Sequence, residues 1–114
     1  MTDDGFWMGL ATLVSASRVV VDRPRGSAHP HMPAVIYPLD YGYLEGTTSG
    51  DGQDIDVWVG SLTKRDVTGV VCTVDANKRD AEVKILLGCS RSEMARVLSF
   101  HNQGGQTAIL VAAP

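Results

Sequence analysis

Aspartates concentrate in one short segment of this 114-residue sequence and recur in a second segment. Asp51, Asp54 and Asp56 lie within six residues, and Asp75 and Asp80 flank a later polar stretch. Asp54 and Asp56 would share one face of a strand, because side chains alternate along a strand. Mg²⁺ is usually held by one or two carboxylates together with waters and substrate phosphate. If the two loops converge, these aspartates predict a site for divalent metal ions.

Other interpretations of the first aspartate segment stay open. Asp and Gly are ordinary turn residues, so a D-G-x-D run is also typical of a plain loop. A calcium-binding EF-hand is excluded, because that pattern needs a glutamate at its twelfth position. Counted from Asp51, the twelfth position is Leu62.

Two further polar segments are predicted to be solvated, with a phosphate contact as the alternative. His29 and His31 belong to a proline-rich stretch, and any phosphate contact they made as cations would depend on pH. Lys78 and Arg79 lie between Asp75 and Asp80, where a solvated hairpin tip is the simpler interpretation.

Three blocks of the sequence resemble the soluble inorganic pyrophosphatases of family I. Residues 36–47, IYPLDYGYLEGT, and residues 51–56, DGQDID, are similar to Y-P-x-(D/N)-Y-G-(F/Y)-I-x-x-T followed by D-G-D-P-(L/I/V)-D. Residues 69–80, GVVCTVDANKRD, are similar to G-(V/M)-L-x-M-x-D-E-x-x-x-D, and residues 21–27, VDRPRGS, to V-E-I-P-K-G-S. The blocks occur in the order of the family, and the resemblance covers roughly residues 19–87.

The resemblance implies a five-stranded OB-like barrel with metals at one mouth. It also implies hydrolysis of pyrophosphate, or a related phosphoanhydride, by an aspartate-bound Mg²⁺ cluster, with Mn²⁺ as the other candidate metal. Tyr41 would take part in catalysis and line the phosphate pocket, Arg25 would bind substrate, and Asp22 would replace an active-site glutamate. By position, the metal ligands would be Asp51, Asp56, Asp75 and Asp80.

The sequence departs from the family pattern at functional positions. Gln53 stands where the family has an aspartate that helps to activate the attacking water, and Asp54 is the candidate to take over that catalytic role. Glu82 replaces a family lysine, and Lys84, two residues further along the same strand face, is the candidate to contact substrate. The Tyr-Lys pair of the family's last helix aligns only loosely, with His101 and Asn102.

Two functions therefore compete. The first is metal-dependent pyrophosphate hydrolysis, in which two metals bridge the attacking and leaving oxygens and lower the pKa of a bound water. The second is a catalytically impaired homologue that binds metal or phosphate or serves in assembly. A nucleic-acid-binding OB domain is disfavoured, because the formal net charge is -3 and such domains are usually basic.

The hydrophobic pattern predicts a mainly β (α+β) domain with a helix near each end. The helices are predicted over 5–16 and 91–102, the second with a capping box between Ser90 and Glu93. Strands are predicted over 18–22, 34–37, 55–60, 69–74, 81–87 and 107–111, with 23–33 as a loop and 75–80 as a hairpin connection. Short strands need cover or closure at their edges, which favours a closed or partly closed barrel.

The bulk composition is typical of one soluble domain over residues 1–114. With 44% hydrophobic residues the chain can build one core and not two. No stretch reaches the ~20 apolar residues of a membrane span, and acidic Asp3 and Asp4 stand where a signal peptide is basic. We expect a cytoplasmic protein with reduced Cys72 and Cys89, a small phosphate substrate, no nucleic-acid or membrane partner, and self-association into a homo-oligomer.

Overall fold

The computed structural model describes residues 3–114 as two helices and eight strands. In chain order they are α1 (Asp4–Ser15), β1 (Val19–Arg23), β2 (Ala28–His29), β3 (Met32–Ile36), β4 (Asp40–Leu44), β5 (Ile55–Val59), β6 (Val67–Asp75), β7 (Asp80–Leu87), α2 (Arg91–Phe100) and β8 (Thr107–Ala112). The prediction of a mainly β fold with a helix near each end is confirmed, and the architecture is consistent with an OB-like α+β fold.

Six of the strands form one mixed sheet in the order β1-β4-β5-β7-β6-β8, while β2 and β3 pair separately. In the large sheet only the β5 and β7 pair is parallel, and all other neighbours are antiparallel. The sheet thus has one strand more than the five expected, and β1 and β8 lie at its edges.

The additional strand is β4, which lies where the sequence pattern predicts only a turn after Pro38. Asp40 and Gly42 are residue types that are depleted in strands, so local propensity does not predict a strand here. Pairing with β1 on one side and β5 on the other overrides that propensity. Similarly, β2 lies within the predicted loop over 23–33 and is held by pairing with β3.

The large sheet separates two hydrophobic cores, because successive side chains of its central strands point to opposite faces. On one face, partly buried residues of α1 pack against a core formed by Leu44, Val57, Val59, Ile85 and Leu87. On the other, α2 contributes to a core formed by Tyr37, Leu39, Trp58, Val71, Leu86, Cys89, Met94 and Val97. Tyr41, Asp56 and Lys84, which the sequence marks as candidate site residues, lie on this second face.

The capping box predicted for α2 is present. Ser90 Oγ accepts a hydrogen bond from the Glu93 backbone N–H, and Glu93 Oε1 accepts from the Ser90 N–H at 2.8 Å. The buried Glu93 carboxylate also accepts from the backbone N–H of Ser61, so it ties the helix to the segment after β5. Cys72 and Cys89 are both free. Within residues 3–114, no helix has the length and apolar character needed to cross a membrane.

Candidate functional site

Strand registers bring three of the predicted site residues together. Tyr41 of β4 pairs with Trp58 of β5, which pairs in turn with Leu86 of β7. Because side chains two residues apart share a face, Asp56 lies beside Trp58 and Lys84 beside Leu86 on the side that carries Tyr41. The sheet therefore juxtaposes Tyr41, Asp56 and Lys84 although they are far apart in sequence.

The Lys84 ammonium group lies at the centre of this arrangement. Its Nζ donates to Asp56 Oδ2 at 2.7 Å, to the Tyr41 hydroxyl at 3.0 Å and to Glu82 Oε2 at 3.2 Å. The Tyr41 hydroxyl in turn donates to Asp56 Oδ2 at 2.7 Å. An ammonium group has three N–H donors, so each donor of Lys84 has one protein acceptor.

The electrostatic environment keeps Lys84 protonated and Tyr41 neutral. Burial opposes the charge of Lys84, but the neighbouring Tyr41 oxygen and Asp56 carboxylate outweigh it and raise the lysine pKa. Burial raises the pKa of Tyr41 far above its usual value, against the opposing effect of Lys84. The group is therefore an ion pair between a buried lysine and a half-buried aspartate, with a neutral phenol as its third member.

Asp51 adjoins this group through Glu82. The Asp51 carboxylate accepts from Ser49 Oγ and from the Gln53 backbone N–H, and these bonds, with a hydrogen bond from Glu82, lower its pKa to about 2. Burial raises the pKa of Glu82, and its contact with Asp51 raises it further, whereas Lys84 acts in the opposite direction. The Asp51 side chain thus stabilises the turn to which Asp51 belongs, and it lies beside Glu82.

A cavity of about 240 Å³ opens next to Tyr41 and Lys84. Its charged lining consists of Arg23, Lys78, Lys84 and Asp75. Because Asp56 compensates the charge of Lys84, the lining keeps the positive charges of Arg23 and Lys78 against the single carboxylate of Asp75, a net positive charge. A cavity with that charge suits a small anion.

Two histidines also line the cavity. Burial, together with the charge of Arg23, lowers the pKa of His29, and burial lowers the pKa of His101 to about 4. The Trp58 indole N–H donates to His101 Nε2 at 3.0 Å, which leaves His101 Nδ1–H to donate to Gln106 at 2.8 Å. His101 thus lines the cavity as a neutral imidazole, and two hydrogen bonds fix its tautomer.

The remaining predicted site residues lie in different places. Asp75 lines the cavity and accepts from the Lys78 backbone N–H, whereas Asp80 opens β7 and is exposed. Gln53 is exposed and Asp54 half-buried in the segment before β5. Arg25 is exposed and lines a separate hollow with Leu39, Asp40, Val59, Gly60, Ser61 and Glu93. Arg25 is therefore not brought to the cavity.

Arg23 is a site residue that sequence reasoning missed. The resemblance pointed to Asp22 and Arg25 on either side of it, but a register shift between Val21 and Arg23 sets Arg23, not Asp22, opposite Tyr41. Arg23 reaches the cavity and donates to the Tyr37 hydroxyl, while Asp22 is exposed. The alternation of β1 alone would not reveal this bulge, because a bulge inserts one unpaired residue and changes the face of those that follow.

The arrangement does not fit a divalent metal. In the part of the chain that the structure describes, no group of three or more His, Cys, Asp or Glu side chains is placed to hold a metal ion. Asp51, Asp56, Asp75 and Asp80 are accordingly not gathered into one ligand set. One oxygen of Asp56, Oδ2, already accepts from an ammonium group and a phenol.

Comparisons with known proteins agree with the sequence blocks. The family model described as Inorganic Pyrophosphatase matches residues 17–107. Among solved structures, an inorganic phosphatase from Anaplasma phagocytophilum shares the fold with a TM-score of 0.58, covering 82% of this chain and 81% of that chain at 16% sequence identity. No curated protein matches the chain.

Proposed function

Since this chain belongs to the inorganic pyrophosphatase family, we propose that it binds pyrophosphate or a related small phosphate compound in the cavity beside Tyr41 and Lys84. The observation that carries the proposal is the net positive charge of this cavity, in which Arg23 and Lys78 lie opposite a single carboxylate, Asp75, beside the Lys84–Asp56 ion pair.

The three cations have different parts in this proposal. Arg23 presents a planar fork of N–H donors that matches phosphate oxygens, and Lys78 is a mobile point charge at the tip of the β6–β7 hairpin. Lys84 holds Asp56 and Tyr41 in place at the cavity wall and adds little charge of its own for a ligand, because its three donors already have protein acceptors. The cavity of about 240 Å³ is also smaller than the ~300–1,000 Å³ of pockets for drug-sized ligands, which favours a small phosphate over a nucleotide.

Hydrolysis of pyrophosphate with divalent metal is the second candidate function. It is favoured by family membership and by Asp51 and Asp56, which occupy the positions of family metal ligands. Two observations weigh against it. The Gln53 amide cannot take a proton from water near neutral pH, and the described aspartates do not form a ligand set.

We expect pyrophosphate to bind in the presence of EDTA, as measured by isothermal titration calorimetry. Arg23→Gln should weaken binding by roughly tenfold to a hundredfold, since hydrogen bonds to charged groups contribute about 1.5–3 kcal/mol. The matched control is Arg25→Gln, because Arg25 lies nearby in sequence but lines a different hollow. Equal losses in both variants, or no binding by the wild type, would refute this site.

Phosphate release from pyrophosphate separates the two candidate functions. The binding function predicts no release with Mg²⁺ or Mn²⁺ beyond that of an Asp56→Asn preparation. Release that depends on metal and is lost in Asp56→Asn would instead assign hydrolysis to this chain. Release that survives in Asp56→Asn would identify a contaminating enzyme.

We also propose that the chain self-associates through an apolar patch at the β8 edge. The patch consists of Val74, Val83, Ile109 and Val111, with Ile109 63% and Val111 42% exposed. Pairing places Ile109 opposite Cys72 and Val111 opposite Val70, so both lie on the α1 side of the sheet beyond the cover of that helix. Exposed edges and apolar patches of this kind favour association.

The patch gives a direct test of assembly. We expect light scattering at tens of micromolar protein to give a multiple of the 12.2 kDa chain mass. Ile109→Lys should shift the protein to the monomer, because it places a charge in the apolar contact. Leu62→Lys, at an exposed apolar residue outside the patch, is the control. A monomeric wild type would rule out this proposal.

A further inference from the structure

We propose that Lys84 takes the place of a divalent cation beside Asp56, so that this protein binds its phosphate ligand as the free anion and not as a metal complex. The nature of the ligand rests on the proposed function. The exclusion of metal does not, because it follows from the contacts of Lys84 alone.

The first argument is that the cation position is already filled. The Lys84 ammonium lies 2.7 Å from Asp56 Oδ2 and 3.2 Å from Glu82 Oε2, with the Tyr41 hydroxyl oxygen at 3.0 Å as a third neighbour. Three oxygens around one positive charge resemble the oxygen ligands that a hard metal ion prefers. A metal bound to the same Asp56 oxygen would meet the positive charge of the ammonium at close range.

The second argument is that Lys84 cannot readily leave this position. It belongs to β7, a central strand paired with both β5 and β6, and the residue is only 5% exposed. If its side chain turned away within the core, the buried ammonium would lose Asp56, Glu82 and Tyr41 as partners, and burying a charge without a partner is costly. The ammonium is therefore a fixed part of the site.

The third argument is that the departures from the family pattern agree with one another. A lysine is missing at Glu82 and a lysine is present two residues later, so the positive charge has moved along one strand face towards Asp56. Glu82 now accepts from Lys84. In the adjoining loop Gln53 replaces one carboxylate and Asp54 adds one at the next residue, so the number of aspartates there is unchanged. The two changes on the strand favour a monovalent cation that is covalently part of the chain.

The inference predicts that removing the charge of Lys84 creates a metal site. We expect Mn²⁺, followed by calorimetry and by thermal unfolding, to show no binding to the wild type that depends on Asp56. Lys84→Met should gain Mn²⁺ affinity by tenfold or more and should show a rise in melting temperature with Mn²⁺, since a ligand of the folded state stabilises it. Adding Asp56→Asn to that variant should abolish the gain.

Lys78→Met is the matched control, because it removes another lysine from the same cavity but none of the contacts to Asp56. It should not gain Mn²⁺ affinity. If Lys84→Met does not fold, Lys84→Gln retains a side-chain donor without the charge. Comparing Mn²⁺ binding by the wild type and by Asp56→Asn tests the exclusion of metal without either Lys84 variant.

Wild-type Mn²⁺ binding that is lost in Asp56→Asn would overturn the inference. So would a Lys84 variant that folds but gains no more metal affinity than Lys78→Met. Pyrophosphate titrated in EDTA is a separate measurement. Failure of pyrophosphate to bind, with metal exclusion intact, would refute the proposed function and leave the exclusion of metal standing.

Discussion

Replacing Gly42 with alanine is expected to destabilise the fold by about 3 kcal/mol or more, because overpacking against rigid atoms is costly. A Cβ at Gly42 would lie 1.7 Å from the Val20 carbonyl oxygen and 2.9 Å from Val21 Cα. These are backbone atoms of β1, so no side chain can rotate to make room. The strand itself would have to move away from β4.

The consequence extends to the candidate site. In the large sheet β1 is an edge strand paired with β4, and this pairing sets Arg23 opposite Tyr41. If β1 detaches, the cavity loses Arg23. Gly42→Ala should therefore weaken pyrophosphate binding in whatever fraction of the protein still folds.

The measurement is urea denaturation of Gly42→Ala beside Gly50→Ala. Gly50 is the matched control, because an added Cβ there would meet nothing within 4 Å. We expect Gly50→Ala to change the free energy of unfolding by no more than about 0.5 kcal/mol, as is usual for surface substitutions. Similar unfolding midpoints for the two variants would show that β1 does not approach β4 as closely as described.

Acidification is expected to remove about 3 kcal/mol of stability through His101, because its pKa falls from 6.5 to about 4 on folding. Burial is the main cause, since the residue is only 4% exposed. The hydrogen bond to Gln106 opposes the shift, and the charge of Lys84 adds to it. Protonation of Nε2 would also break the bond from Trp58.

The pH window follows from these values. Above the unfolded-state value of 6.5 both states hold a neutral imidazole, so the full stability is present. As pH falls from 6.5 towards 4, His101 is protonated in the unfolded state but stays neutral in the folded state, so the free energy of unfolding falls. Below about 4 both states are protonated and this contribution levels off.

Carboxylates also titrate in this range, so the comparison must be between variants. His101→Gln retains an acceptor for Trp58 and a donor for Gln106 but does not titrate, and it should show a shallower loss of stability between pH 6.5 and 4. His31→Gln, at an exposed histidine, should follow the wild-type curve. If the free energy of unfolding fell equally with pH in wild type and His101→Gln, the folded state would not hold His101 as a neutral buried imidazole.

Local patterns in the sequence determined most of the elements. The Ser90 and Glu93 spacing predicted the cap of α2, and short apolar runs located β5, β6, β7 and β8 within a few residues. Three sequence blocks pointed to the family that the match over residues 17–107 then showed. These features depend on residues close together in the chain, and their physical causes, capping and local strand propensity, are equally local.

The candidate site was decided by tertiary structure. The sequence marked Asp56 and Lys84 as separate candidates, a metal ligand and a substrate contact, but the parallel register of β5 and β7 makes them an ion pair. It missed Arg23, because the bulge that aims this side chain at the cavity exists only through pairing with β4. Register and bulges arise from contacts between distant segments, and a slip of one residue would turn each side chain to the opposite face.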